Sequence, residues 1–274
     1  MAFIRKFDIR KFDNLTGQDA KLYDRLRADI FAGVVFPAVR AGKIDFYHAG
    51  GRLYSFDGIG FKRNPNYSKY DTGTVGLDFY EKAKQENKNK FISGAGEARE
   101  RQLLDSLNNH TFSSRKTDTV VLDIEVRLNG SIYGTKKCDM VLLNTKTNQI
   151  MFVEGKLFSN KDVHVAVGFR PKVIEQVARY TAAIAEQGQG IVEQYGNHIK
   201  VINELYGTAY SLQVRLIEKA KLLVYDAPSK PRQNAIHTIK ILNEIVGEEN
   251  VAIFEKVTEG QEPTLNEIWE ALCK

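Results

Sequence analysis

Leu22, Leu26 and Ile30 stand four residues apart among Asp, Lys and Arg, a spacing that predicts an amphipathic helix over residues 18–31. Pro37 and Gly42 then break the pattern. Residues 44–47, 52–56 and 59–61 read as short strands, joined by Ala49-Gly50-Gly51 and Asp57-Gly58, both sequences that favour tight turns. The run YEKAKQENKNK over 80–90 is polar and charge-dense, and reads as a linker or an exposed helix. Together these predict a small α+β unit over residues 1–90.

From residue 91 the pattern changes. Ser93 can cap a helix that carries Leu103, Leu104 and Leu107 on one face, with Glu100 on that same stripe and Glu97 nearer the helix start. Residues 119–128, TVVLDIEVRL, alternate: Val120, Leu122, Ile124, Val126 and Leu128 form one face, and Val121, Asp123, Glu125 and Arg127 the other. Asp123 and Glu125 are expected in solvent or in salt bridges. Gly130 turns the chain into a strand over 132–143, residues 144–148 form a turn, and 150–153 rebuild an apolar run that ends on Glu154. Pro171 opens a helix stopped by Gly188, and a second helix follows over 191–206. A strand at 221–226, a helix at 232–246, a strand at 251–254 and a helix at 265–272 complete the order. Helix, three strands, helices, strand, helix, strand, helix predicts a mixed central sheet flanked by helices, an α/β domain over residues 91–274.

Composition narrows the classes. The 274 residues are 43% hydrophobic, enough for a sizeable core. With no apolar run of membrane-spanning length and no apolar leader, the chain reads as a soluble, cytoplasmic protein without a membrane partner. Cys138 and Cys273 alone make neither a disulfide framework nor a cysteine zinc site. The net charge of +5 is concentrated: residues 1–75 hold 13 Lys and Arg against 8 Asp, while the remainder holds 26 of each sign. Those 75 residues also carry 13 of the 28 aromatic side chains. Cations interleaved with rings suit a phosphate backbone with exposed bases, and equally the core and solvated face of a small β-rich unit.

The chemistry concentrates on KKCDMVLLNTKTNQIMFVEGKLFSN, residues 136–160. Side chains alternate along a strand, so Glu154 and Lys156 point the same way, and a hairpin brings Asp139 to the same end of the sheet. Two carboxylates brought together repel unless a cation bridges them, and Mg²⁺, with Mn²⁺ as the alternative, favours such an oxygen site. Lys156 beside them can orient or help deprotonate a water, or stabilise charge building on a phosphate. His164, Lys161, Arg170, Lys172, Arg179 and Lys230 suit either a nucleic-acid rim or ordinary solubility.

This arrangement resembles the PD-(D/E)xK, or restriction-endonuclease-like, nuclease superfamily over roughly residues 93–226, with Cys138 where the motif name has proline. The resemblance implies a restriction-endonuclease-like fold, Asp139, Glu154 and the Gly155 carbonyl as metal ligands, and Lys156 as the catalytic lysine. It maps the helix acid of the family to Glu100, with Glu97 as competitor. Gln176 and Tyr180, one helical turn apart, are similar to the Gln-x-x-x-Tyr helix of members related to the RecB nuclease domain. The expectation is a metal-dependent nuclease acting on DNA, gripped by the basic N-terminal unit, with a homodimer as a further expectation because two-strand cutting pairs two sites. A nucleic-acid-binding protein that does not cleave, and an interaction module of a larger assembly, are the alternatives.

Overall fold

The computed structural model describes residues 3–63, 75–91, 97–108, 117–128, 137–164, 170–256 and 262–274. The cap expected at Ser93, the turn at Gly130, the strand start at 132–136 and part of the aromatic run at 64–70 lie outside those residues. Contacts divide the chain into two units, one made of Met1–Phe3, Thr117–Val192 and Gln213–Lys274, the other of Ile4–Lys116 and Glu193–Leu212. The architecture is α/β, with a sheet in each unit. Among the described residues no helix is long and apolar enough to cross a membrane.

The unit at residues 4–116 is an antiparallel meander with helices. Helix α1 (Gly17–Phe31) buries Leu22, Leu26 and Ile30, the stripe that its spacing predicts. Strands β1 (Phe36–Arg40), β2 (Lys43–His48), β3 (Gly51–Phe56) and β4 (Phe61–Lys62) pair in sequence order. Strand β1 escapes the sequence pattern because it contains Pro37, which an edge strand tolerates since its missing N–H can face away from the ladder. The charge-dense run at 80–90 belongs to α2 (Leu77–Phe91), whose Tyr80, Ala83 and Asn87 are buried on one face. Buried Asp29 of α1 accepts hydrogen bonds from Tyr80 Oη and Lys84 Nζ, both at 2.8 Å, which ties α1 to α2. Helix α3 (Glu97–Asn108) also belongs here, and Asp105 accepts from the Gly50 amide at 3.2 Å.

The unit that carries the candidate chemistry is built on β5 (Thr119–Val126), β6 (Cys138–Asn144) and β7 (Gln149–Leu157), an antiparallel run. Helix α4 (Lys172–Tyr206) follows, then the short β8 (Arg215–Leu216) and β9 (Lys221–Ala227), both parallel to β7. Helix α5 (Gln233–Val246), β10 (Val251–Glu255) parallel to β9, and α6 (Leu265–Leu272), closed by a Thr264–Glu267 capping box, complete the unit. The strand order is β10-β9-β7-β6-β5, with β8 beside β7.

Two expectations are corrected here. Helix α4 is one helix of 35 residues and not two, with Gly188 and Gly190 inside it. Each glycine costs about 1 kcal/mol against alanine, whereas fully burying an isoleucine or tyrosine returns about 1.5–3 kcal/mol. Ile184, Ile191 and Tyr195 are all at most 1% exposed, so packing overrides the local stop signal. The second correction is to the solvent exposure expected of Asp123, which is fully buried. The β5–β6 register shifts between Val121 and Asp123, and Glu125 sits at φ 51°, so the two-residue alternation does not run evenly along β5.

Candidate active site

Register places the acids. Met140 and Val153 form the outermost pair of the β6–β7 register, and Asp139 and Glu154 are the next residues outward on the two strands, which brings both acids to one end of the hairpin. Lys156, two residues beyond Glu154, returns to the face of β7 that Glu154 occupies. Its Nζ lies 2.7 Å from Glu154 Oε1 and 3.3 Å from Asp139 Oδ2, and it donates to the Gly155 carbonyl at 3.0 Å. The Gly155 amide donates to Asp139 Oδ2 at 2.9 Å. Asp139, Glu154, Gly155 and Lys156 are therefore one cluster at the joined ends of two strands.

The charge balance of the cluster is uneven. Glu154 is 2% exposed and Lys156 7%, while the Asp139 side chain keeps 19%. Within the cluster itself one ammonium faces two carboxylates in a place with little water, where charge is costly to hold. Neighbouring groups report the same field. The Cys138 thiol, buried behind the cluster, is pushed up by burial and then by Glu154 and Asp139. Burial, followed by the charge of Glu154, also holds the Tyr180 hydroxyl far above its ordinary value. That hydroxyl donates to the Lys137 carbonyl at 2.8 Å, so α4 is tied to the start of β6.

Gln176, one turn before Tyr180, has a buried amide oxygen with no hydrogen-bond partner among the described residues. An unmet buried acceptor costs about 1–3 kcal/mol. Glu100 is half-buried on α3 in the other unit. The Glu97 side chain is outside the described residues. Among the described residues no group of three or more His, Cys, Asp or Glu side chains is gathered.

The donor set fits a hard divalent ion of modest demands: two carboxylates, one peptide carbonyl and solvent, the kind of partial protein shell that Mg²⁺ accepts because it keeps much of its water. In the present arrangement Lys156 engages all three of those oxygen-bearing groups. Comparison with protein-family models, with curated proteins and with solved structures gave no match.

Sequence reasoning overlooked Asp162 and Glu175, which carry no motif, and left Lys172 and Arg179 as either a nucleic-acid rim or solubilising charges. The signal available was their position on one face of α4, since 172, 175, 176, 179 and 180 repeat at three and four residues.

Proposed function

We propose that the chain is a metal-dependent nuclease that hydrolyses phosphodiester bonds, with DNA as its substrate. The observation that carries this reading is the meeting of Asp139 and Glu154 at one end of the hairpin with Lys156 Nζ within 3.3 Å of both. The antiparallel β5-β6-β7 run, followed by α4 and a parallel β9 beside β7, agrees with the restriction-endonuclease-like arrangement that the motif implies. The basic excess of the first 75 residues supports an anionic polymer as the substrate.

Asp139, Glu154 and the Gly155 carbonyl would hold Mg²⁺ or Mn²⁺, which supplies Lewis acidity at the phosphate. Lys156 places a positive charge where negative charge builds on the phosphate oxygens as the bond to the leaving oxygen lengthens. Tyr180, through Lys137, keeps the start of β6 and hence Asp139 in register. A second reading, a nucleic-acid binder that does not cleave, draws on the same ion pairs: Lys156 already answers both acids.

The two readings separate in one experiment. Plasmid, linear duplex and single-stranded DNA are incubated with Mg²⁺ or Mn²⁺, with EDTA as control, using wild type and Asp139→Ala, Glu154→Ala and Lys156→Ala. Cleavage that needs the ion and falls by about a thousandfold or more in each variant is expected. Activity that survives the substitutions sinks the nuclease assignment at this site, and salt-sensitive binding with no cleavage in any metal supports the binder.

A further inference from the structure

A cavity of about 350 Å³ lies along the first turns of α4, lined by Asp162, Lys172, Glu175, Gln176, Arg179 and Tyr180. Tyr180 is also a wall of the acid–lysine cluster, so the cavity and the cluster share a side chain. The volume falls in the range of small-ligand sites. Its lining is unusual for a pocket that would take an apolar molecule, because four of its six residues are charged.

The chemistry of that lining is mixed in an ordered way. Lys172 and Arg179 lie seven residues apart on one helix face, about 10 Å along the axis, with Glu175 and Gln176 between them. Among the described residues the side chains of Lys172, Glu175 and Arg179 form no ion pair or hydrogen bond, and the Gln176 amide oxygen is buried without a donor. Cations at the two ends ask for anions. Acceptors in the middle ask for N–H donors. A nucleotide offers both: phosphate oxygens for Lys172 and Arg179, and amino or imino hydrogens of a base for Gln176, Glu175 and Asp162.

Watson–Crick pairing consumes the imino hydrogen and one amino hydrogen of a base, and the amino hydrogen left in the major groove cannot enter a cavity while its base is stacked, so only a base out of the stack can present its pairing edge here. We propose that this cavity takes one unpaired nucleotide, base inward, from a single-stranded or locally opened nucleic acid. Cytosine, with its exocyclic amino group, suits the acceptors better than thymine, which has a single imino hydrogen. The proposal rests on the nuclease reading only for what happens next at the cluster. Capture of the nucleotide does not require cleavage.

The test is fluorescence anisotropy with the full-length protein in EDTA, using fluorescein-labelled single-stranded oligo(dC), oligo(dT) and a blunt duplex. Oligo(dC) is expected to bind about tenfold tighter than the duplex and about threefold tighter than oligo(dT). Gln176→Leu should remove the cytosine preference, and Arg179→Ala should weaken single-strand binding about three- to tenfold. Equal affinity for single strand and duplex, or variants that bind as wild type does, overturns the proposal. Should Gln176→Leu not fold by circular dichroism, the exposed Arg179 decides, because its truncation removes no core packing. Failure of the nuclease reading is visible separately, as wild-type protein that binds but never cleaves with Mg²⁺ or Mn²⁺.

Discussion

At Lys156 one ammonium answers two carboxylates, and the imbalance makes opposite predictions for its partners. Lys156→Met removes the ammonium that pairs with Glu154 and Asp139 in a poorly solvated place, and should cost about 3–5 kcal/mol in urea denaturation. Glu154→Gln reduces the cluster to one acid and one base, and should cost less than about 1 kcal/mol or stabilise. Equal losses in the two variants would show that the charge imbalance is not what the fold feels. A second residue with a pH signature is Asp57, which Lys62 pulls down to about 2, helped by the Ile59 and Gly60 amides. Its folded value lies below the ordinary one, so its contribution is present above about pH 4 and is lost as pH falls towards 2. Asp57→Asn should therefore lower stability modestly at neutral pH, flatten the acid limb of the stability curve between about pH 4 and 2, and leave stability at pH 2 little changed, the loss being small because the pair lies near the surface. The clustering of Asp139, Glu154 and Lys156 was legible in the sequence because strand alternation and a short turn are local rules. The burial of Asp123 was not, because a bulge and a positive φ in β5 depend on how that strand pairs with β6.

Elements were read best where at least one face is dry. The stripes of α1 and α6 are visible in sequence because burial repeats at the helical period, and β9 is visible as a continuous apolar run because it is buried on both faces. Strand β1 was hidden by Pro37, and α4 was cut in two by Gly188 and Gly190, since a local breaker cannot reveal how much packing opposes it. The α4 glycines offer a prediction of their own. A Cβ at Gly190 meets nothing within 4 Å, and one at Gly188 meets only Leu216 Cδ2 at 3.7 Å. Gly190→Ala should therefore stabilise by about 0.5–1 kcal/mol and raise the melting temperature by about 1–3 °C in a thermal scan. A loss of stability instead would mean that the helix needs a weak point there.

For the whole molecule, the units do not follow the chain in simple order. The sequence boundary near residue 90 follows the charge-dense run at 80–90, whereas the unit that begins at Ile4 includes residues up to 116 and also 193–212. Its core counts Val201, Ile202, Leu205 and Tyr206 from the end of α4 beside Leu22, Phe46 and Tyr54. Long-range completion of this kind has no local trace in the sequence. It predicts that a fragment of residues 1–116 has an incomplete core: expressed alone it should show no cooperative urea transition, and a peptide of residues 193–212 added in trans should restore part of it. A cooperative transition for the fragment by itself would show that the four α4 side chains are dispensable.

That late contribution has a consequence for synthesis. About 90 residues separate the end of the first segment at 116 from Tyr206, and at ordinary elongation rates they take roughly 5–20 s to make. Throughout that interval the apolar faces of α1, β2 and β3 are on a chain still attached to the ribosome, without the side chains that finish their core. The nascent protein therefore presents an open hydrophobic surface for seconds, long enough for chaperone capture, and slower translation between residues 117 and 206 would lengthen that exposure.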